Sequence, residues 1–259
     1  MVRVVVATEE QAGRLAAEAV AAVVDRLPRP VLGLATGSSP RPVYRAIAQR
    51  VRDGVLSLVH ARAFLLDEYL GLPADHPQSY RAEIERELVE RTDLPSTAVQ
   101  SLDGTAGDVE AECAAYERAI HDAGGVDLQL LGIGTDGHIG FNEPGSPLDS
   151  RTRRMRLAQR TREDNARFFD DDIDRVPTHC LTQGIATILQ ARHLVLLAFG
   201  EAKAEAVRQL VEGPVTERWP ATALQRHPHV TVLIDEAAAS RLSGAASAQD
   251  DGWTDGAAL

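Results

Sequence analysis

The chain has 259 residues, 44% of them hydrophobic, which suits one large domain with a real core and is too apolar for a disordered polypeptide. A formal net charge of −11 argues against a general nucleic-acid or membrane-surface binder and leaves an anionic small ligand only through a local basic pocket. The start MVRVVVATEE lacks the pattern of an export signal, no apolar run reaches the ~18 residues of a membrane span, and Cys113 and Cys180 are too few for a disulfide framework, so a cytoplasmic protein is expected.

Short β-rich runs alternate with helical patterns along the chain. Val2–Ala7 reads as a strand and Glu9–Arg26 as a helix, with alanine, leucine and valine at helical spacing. Pro30–Leu34 is a second strand, and Pro40–Val51 a helix opened by prolines where a helix tolerates them. Ala61–Leu66 is a third strand, followed by helices over Ser79–Arg91 and Gly107–Ala123. Val126–Ile133, His193–Phe199 and Val230–Ile234 are further strands, with helices at Leu181–Gln190 and Glu201–Val211 between them. This alternation predicts an α/β fold with an open, mostly parallel, Rossmann-like sheet and helices on both faces. Residues 1–242 read as a single domain. Within it 150–182, rich in arginine and aspartate with a helical piece near Arg162–Phe169, reads as an inserted, lid-like segment. The small polar tail 243–259 reads as disordered.

Ligands of open parallel sheets bind at the carboxyl ends of strands, so the loops after strands matter most. The first is TGSS, where Thr36, Gly37, Ser38 and Ser39 precede a helix and offer N–H and hydroxyl donors to an anion. The same turn also reads as an ordinary strand–turn–helix with a serine cap. In the second, Asp67 and Glu68 follow an apolar strand. Neighbouring carboxylates there point to different sides, so one can face a pocket while the other caps or pairs, or both are solvated turn acids. The third is LGIGTDGHIGFNEPG, Leu131–Gly145. Its glycines let the backbone bend closely around a ligand, and His138 stands between Asp136 and Glu143. That pattern suits a general acid/base held in one tautomer with a raised pKa; the bland alternative is a glycine turn around a hydrogen-bonded structural histidine. Finally, Lys203 is the only lysine among 27 lysines and arginines, and it lies in the first turn of a helix, where a cation opposes the helix dipole. With Arg167 it offers a basic pocket in an acidic protein, although arginine-biased codon usage with one chance survivor also accounts for a lone lysine.

Several stretches, in order, carry a resemblance: LGLATGSSP, LLDEYLGL followed by HPQSY, GIGTDGHIGFNEPGS, SRTR, NARFF, VPTHCLTQGIATIL, GEAKA and ATALQRHPHVTVLID. Through them the chain resembles glucosamine-6-phosphate deaminases from its first strand to about Ala238. The D-G-H motif alone is similar to one shared with 6-phosphogluconolactonases and sugar-phosphate sensor domains. The resemblance implies conversion of glucosamine 6-phosphate and water to fructose 6-phosphate and ammonia, as part of amino-sugar catabolism, with no metal and no redox cofactor. It implies His138 as the acid that opens the sugar ring, tuned by Asp136 and Glu143, and Asp67 as the base at C2. It places the phosphate on Thr36, Gly37, Ser38, Ser39, Arg167 and Lys203. The implied partner is a small-molecule sugar phosphate, with no nucleic acid and no membrane, and a homo-oligomer left open.

Departures from the family pattern bear on regulation. Allosterically regulated members carry a lysine and a threonine where this chain has Met155 and Arg156, and paired serines where it has Ser146 and Pro147, although Arg153 remains. Activation by N-acetylglucosamine 6-phosphate is therefore not expected. The competing readings are a 6-phosphogluconolactonase, which needs no base at Asp67, a deaminase of another amino-sugar phosphate, and a non-catalytic sugar-phosphate sensor. Against the sensor stands the absence of a helix-turn-helix segment before the first strand.

Overall fold

A computed structural model describes residues 2–243. Of the tail expected to be disordered, all but Ser243 lies outside the described residues; the Ser243 N–H donates to Glu212 at 2.7 Å.

The main sheet has seven strands, all parallel: β1 (Val2–Val6), β2 (Val31–Leu34), β3 (Arg62–Leu65), β5 (Val99–Gln100), β6 (Leu128–Leu131), β9 (His193–Ala198) and β10 (Val230–Ile234). They stand in the order β1-β10-β9-β6-β2-β3-β5. Strands β2, β6, β9 and β10 are buried along their whole length, the mark of a parallel sheet covered on both faces. Helices α1 (Glu9–Arg26), α2 (Arg41–Arg52), α4 (Val109–Asp122) and α7 (Ala204–Glu212) follow β1, β2, β5 and β9. Helix α1 begins where the sequence placed it because Thr8 and Gln11 cap each other's backbone N–H groups at 3.3 and 3.0 Å. Each leucine or isoleucine fully buried in this core contributes about 1.5–3 kcal/mol.

A second, antiparallel sheet was not foreseen. It consists of β4 (Asp67–Tyr69), β8 (His179–Thr182) and β7 (Arg153–Arg156), in the order β4-β8-β7. Two sequence expectations give way to it. Asp67 and Glu68 are paired strand residues rather than loop residues. The helix expected over Leu181–Gln190 is confined to α6 (Ile185–Ile188), with Leu181 and Thr182 in β8. Register explains the second correction: Leu181 pairs with Glu68 of β4 and Arg154 of β7, and its side chain is fully buried. A single apolar run does not reveal such pairing, because its partners lie far away in sequence.

The inserted segment is tied at both ends by this sheet. Between β7 and β8 it carries α5 (Gln159–Asn165) and a 3₁₀ turn, Ala166–Phe168, shifted slightly from the expected helical piece. It packs on a small apolar cluster of its own, including Tyr69, Phe141, Leu157, Phe169 and Cys180. Tyr80 stacks on Phe141 there with ring centroids 5.6 Å apart. Both cysteines are free and buried.

Candidate functional site

The four neighbouring central strands β9, β6, β2 and β3 end side by side, and the chain leaving each of them contributes to one cavity of about 230 Å³. Thr36, Gly37, Ser38 and Ser39 come from the end of β2, Asp67 from just beyond β3, His138 from the loop after β6 and Lys203 from beyond β9. The inserted segment adds Arg167, and also Thr161, Asp164 and Asn165. Asp136 and Glu143 do not line the cavity; they touch His138 instead.

His138 Nδ1 lies 2.8 Å from Oδ1 of Asp136 and 3.8 Å from Oε2 of Glu143. The Asp136 oxygen also accepts the His138 backbone N–H at 3.2 Å. The ring nitrogen reaches the carboxylate at contact distance but not in line, so it has no hydrogen bond. Burial alone would raise the Asp136 carboxyl; the His138 ring and N–H outweigh it and hold the group at about 2. Glu143 is 6% exposed, and its Oε1 accepts from the Thr161 hydroxyl at 2.6 Å and the Ala158 N–H at 3.3 Å. Its Oε2 is buried without a hydrogen bond and faces the histidine. The glycine before this turn is required: a Cβ on Gly134 would fall 2.3 Å from the His138 ring.

The two adjacent carboxylates part company as strand alternation requires. Asp67 faces the cavity. Glu68, 1% exposed, accepts the backbone N–H groups of Tyr69, Tyr80 and Arg81 at 2.8–3.0 Å. It thereby holds the start of α3 (Tyr80–Glu87), whose N-cap is Ser79. Burial, then the nearby carboxylates of Glu68 and Glu83, push the Asp67 carboxyl well above the usual range. Gly140 brings the histidine loop against it: the residue has φ 55°, and a Cβ there would lie 3.3 Å from Asp67 Oδ2.

Lys203 stands at the N-cap of α7. Burial lowers its pKa, while the Asp136 and Asp164 carboxylates oppose the shift. Arg167 is exposed and lies over the Phe168 ring at 4.7 Å. Cavity residues that the sequence reading passed over are Arg41, Tyr80, Glu83, Arg86 and Thr161. Glu83 and Arg86 sit on the helix expected over Ser79–Arg91, to which no site role was given, and nothing in the local pattern distinguishes Thr161. Asp136, His138 and Glu143 bring ligand-type atoms within 4.8 Å of one another, close enough for a cation. Of these groups, Asp136 Oδ1 accepts the His138 N–H and Glu143 Oε1 is taken by Thr161, whereas His138 Nδ1 and Glu143 Oε2 have no hydrogen bond.

Comparisons with known proteins agree on the family. The family described as glucosamine-6-phosphate isomerases/6-phosphogluconolactonase matches residues 6–233. The chain is 62% identical over 239 residues to a glucosamine-6-phosphate deaminase of Beutenbergia cavernae, covering 92% of both chains. To the deaminase of Mycolicibacterium smegmatis it is 62% identical over 230 residues, covering 89% of this chain and 88% of that one. Among solved structures, a monomeric glucosamine-6-phosphate deaminase superposes with a TM-score of 0.89 at 44% identity, covering 92% of this chain and 99% of the other. The 6-phosphogluconolactonase of Trypanosoma brucei, at 22% identity and a TM-score of 0.74 over 94% of this chain and 99% of that one, shares the fold.

Proposed function

The chain belongs to the family of glucosamine-6-phosphate isomerases and 6-phosphogluconolactonases, and within it we propose that this protein isomerises and hydrolytically deaminates glucosamine 6-phosphate to fructose 6-phosphate and ammonia. Extensive identity to deaminases over nearly the whole chain supports the reaction. The observation that carries the chemistry is the pair of unlike proton-transfer groups on one cavity. His138, flanked by two carboxylates, and Asp67, a buried carboxyl, approach it from the ends of β6 and β3, on either side of β2.

Ring opening needs an acid at the ring oxygen, and His138 supplies that proton while Asp136 and Glu143 orient the imidazole. Asp67 then takes the C2 proton. Its raised pKa makes it a stronger base than an exposed aspartate and leaves it able to return a proton at C1. The resulting enolamine becomes an imine at C2, which water hydrolyses to the ketose and ammonia. Each well-placed proton transfer is worth about a hundred- to ten-thousandfold in rate. Thr36, Gly37, Ser38, Ser39, Arg167 and Lys203 hold the phosphate, and the inserted segment, tied at both ends, covers the bound sugar. None of these steps requires a metal or a redox cofactor.

No helix among the described residues is long and apolar enough to cross a membrane. Two free, buried thiols suit a reducing compartment, and we place the enzyme in the cytoplasm. The monomeric state of the similar deaminase is carried over as the working state of this one.

The test is release of ammonia and fructose 6-phosphate from glucosamine 6-phosphate by the purified protein, with galactosamine 6-phosphate and 6-phosphogluconolactone alongside. Stoichiometric ammonia and ketose from the gluco substrate are expected. Fast lactone hydrolysis without ammonia, or binding without turnover, would overturn the reading.

A further inference from the structure

One acid in the cavity transfers no proton in the chemistry above, yet it sits on the loop assigned to the phosphate. Glu83 Oε1 accepts the Gly37 N–H at 3.1 Å and lies 3.4 Å from Arg41 Nη2. Its side chain is only 15% exposed. It rises from the first turn of α3, so its flexible stem reaches across to the start of α2 from a different element. Arg41 is itself incompletely used, since its Nε is buried without a partner. The N–H and guanidinium that would best hold an incoming anion are thus already engaged by a carboxylate.

Resting on the reading of this cavity as a sugar-phosphate site, we propose that Glu83 is an internal anion which occupies the Gly37–Arg41 end of the loop, and that the substrate phosphate binds by displacing it. A single N–H cannot serve a carboxylate and a phosphate oxygen at once, and two anions at that separation repel strongly in a partly buried site. The carboxylate keeps the loop in its binding shape while the cavity is empty. Every anion that enters must then displace it. Inorganic phosphate has only its own charge to do so. A sugar phosphate meets the same cost but adds the contacts of its hydroxyl and amino groups, so it still binds where bare phosphate is held weakly.

The test is calorimetric titration of the full-length protein with orthophosphate at fixed pH and ionic strength, comparing wild type with Glu83→Gln and Glu83→Ala. Both variants are expected to bind orthophosphate about ten- to a hundredfold more tightly, the factor that one charge-assisted hydrogen bond represents. The KM for glucosamine 6-phosphate should fall as well, because its phosphate displaces the same carboxylate. Thermal midpoints without ligand identify a variant that misfolds, and the other variant then decides. Unchanged or weaker orthophosphate binding in a folded variant, or no binding to any form, would overturn the proposal. If tightening occurs but no form releases ammonia, the deaminase reading fails and the role of Glu83 stands. If ammonia is released but orthophosphate binding is indifferent to Glu83, the reverse holds.

Discussion

At the scale of single residues, Asp67 and Glu68 show how one peptide step separates chemistry from architecture. Both are buried acids, but Glu68 is satisfied by three backbone N–H groups, whereas Asp67 is turned to the cavity and destabilised as an anion. A carboxyl whose folded pKa is raised binds its proton more tightly in the native state. Its contribution to stability is therefore full below the ordinary carboxylate pKa of about 3.9 and is lost as pH rises through the folded value. Asp67→Asn should then abolish turnover with little change in substrate binding, and also raise the thermal midpoint at neutral pH, the gain fading as pH falls toward 4. Normal turnover in that variant would remove Asp67 as the base, and a lowered midpoint would contradict the electrostatic account. Lys203→Ala should raise KM roughly ten- to a hundredfold, the loss of a charged hydrogen bond of about 1.5–3 kcal/mol, with a smaller effect on kcat. A loss confined to kcat in steady-state kinetics would reassign the lysine.

At the scale of elements, the inserted segment is positioned by contacts that no local pattern announces. Glu117 on α4 accepts the Thr152 N–H at 2.8 Å, the Thr152 and Thr187 hydroxyls at 2.5 Å, and an ion pair from Arg151. Burial would raise this carboxyl, but the hydroxyls, the N–H and the guanidinium together hold it below its usual range. It pins the start of β7, and β7 and β8 in turn carry α5 over the cavity. Glu117→Ala should cost about 1–3 kcal/mol, the penalty for leaving buried donors unsatisfied. It should also speed amide exchange in β7 before the main sheet is affected; uniform exchange across the molecule would mean the contact serves the whole fold. Six strands of the main sheet were legible because each is a short apolar run between helical patterns; β5, only Val99–Gln100, was not. β4, β7 and β8 were not, because RRMR and HCLT acquire strand geometry only by pairing with each other and with DEY.

At the scale of the whole molecule, the order of the sheet sets the site. Strands β9, β6, β2 and β3 are far apart in sequence and adjacent in space, so a histidine, a carboxyl, a lysine and the Thr36–Ser39 turn converge at one end of the strands. Regulation is expected to be absent at the same scale. Met155 packs against the apolar cluster under the insertion and offers no charge, and Arg153 is engaged with Asn142 at 2.8 Å. Initial rates should follow a hyperbola in glucosamine 6-phosphate and be unchanged by N-acetylglucosamine 6-phosphate. A sigmoidal curve made hyperbolic by that compound would contradict this.

Much of this protein is determined by its sequence alone. The alternating apolar runs specify a covered parallel sheet, because only helices on both faces can bury strands that are apolar throughout. The clustered reactive residues after those strands could be read as candidates, because loops at the carboxyl ends are where such sheets place ligands. What only the tertiary structure decided is which groups meet. That Asp67 faces the cavity while Glu68 caps a helix, that Thr161 holds Glu143, and that Glu83 reaches the Gly37 N–H all depend on register and on elements packed from distant parts of the chain. Local patterns record the periodicity of burial; they do not record which buried surface lies opposite.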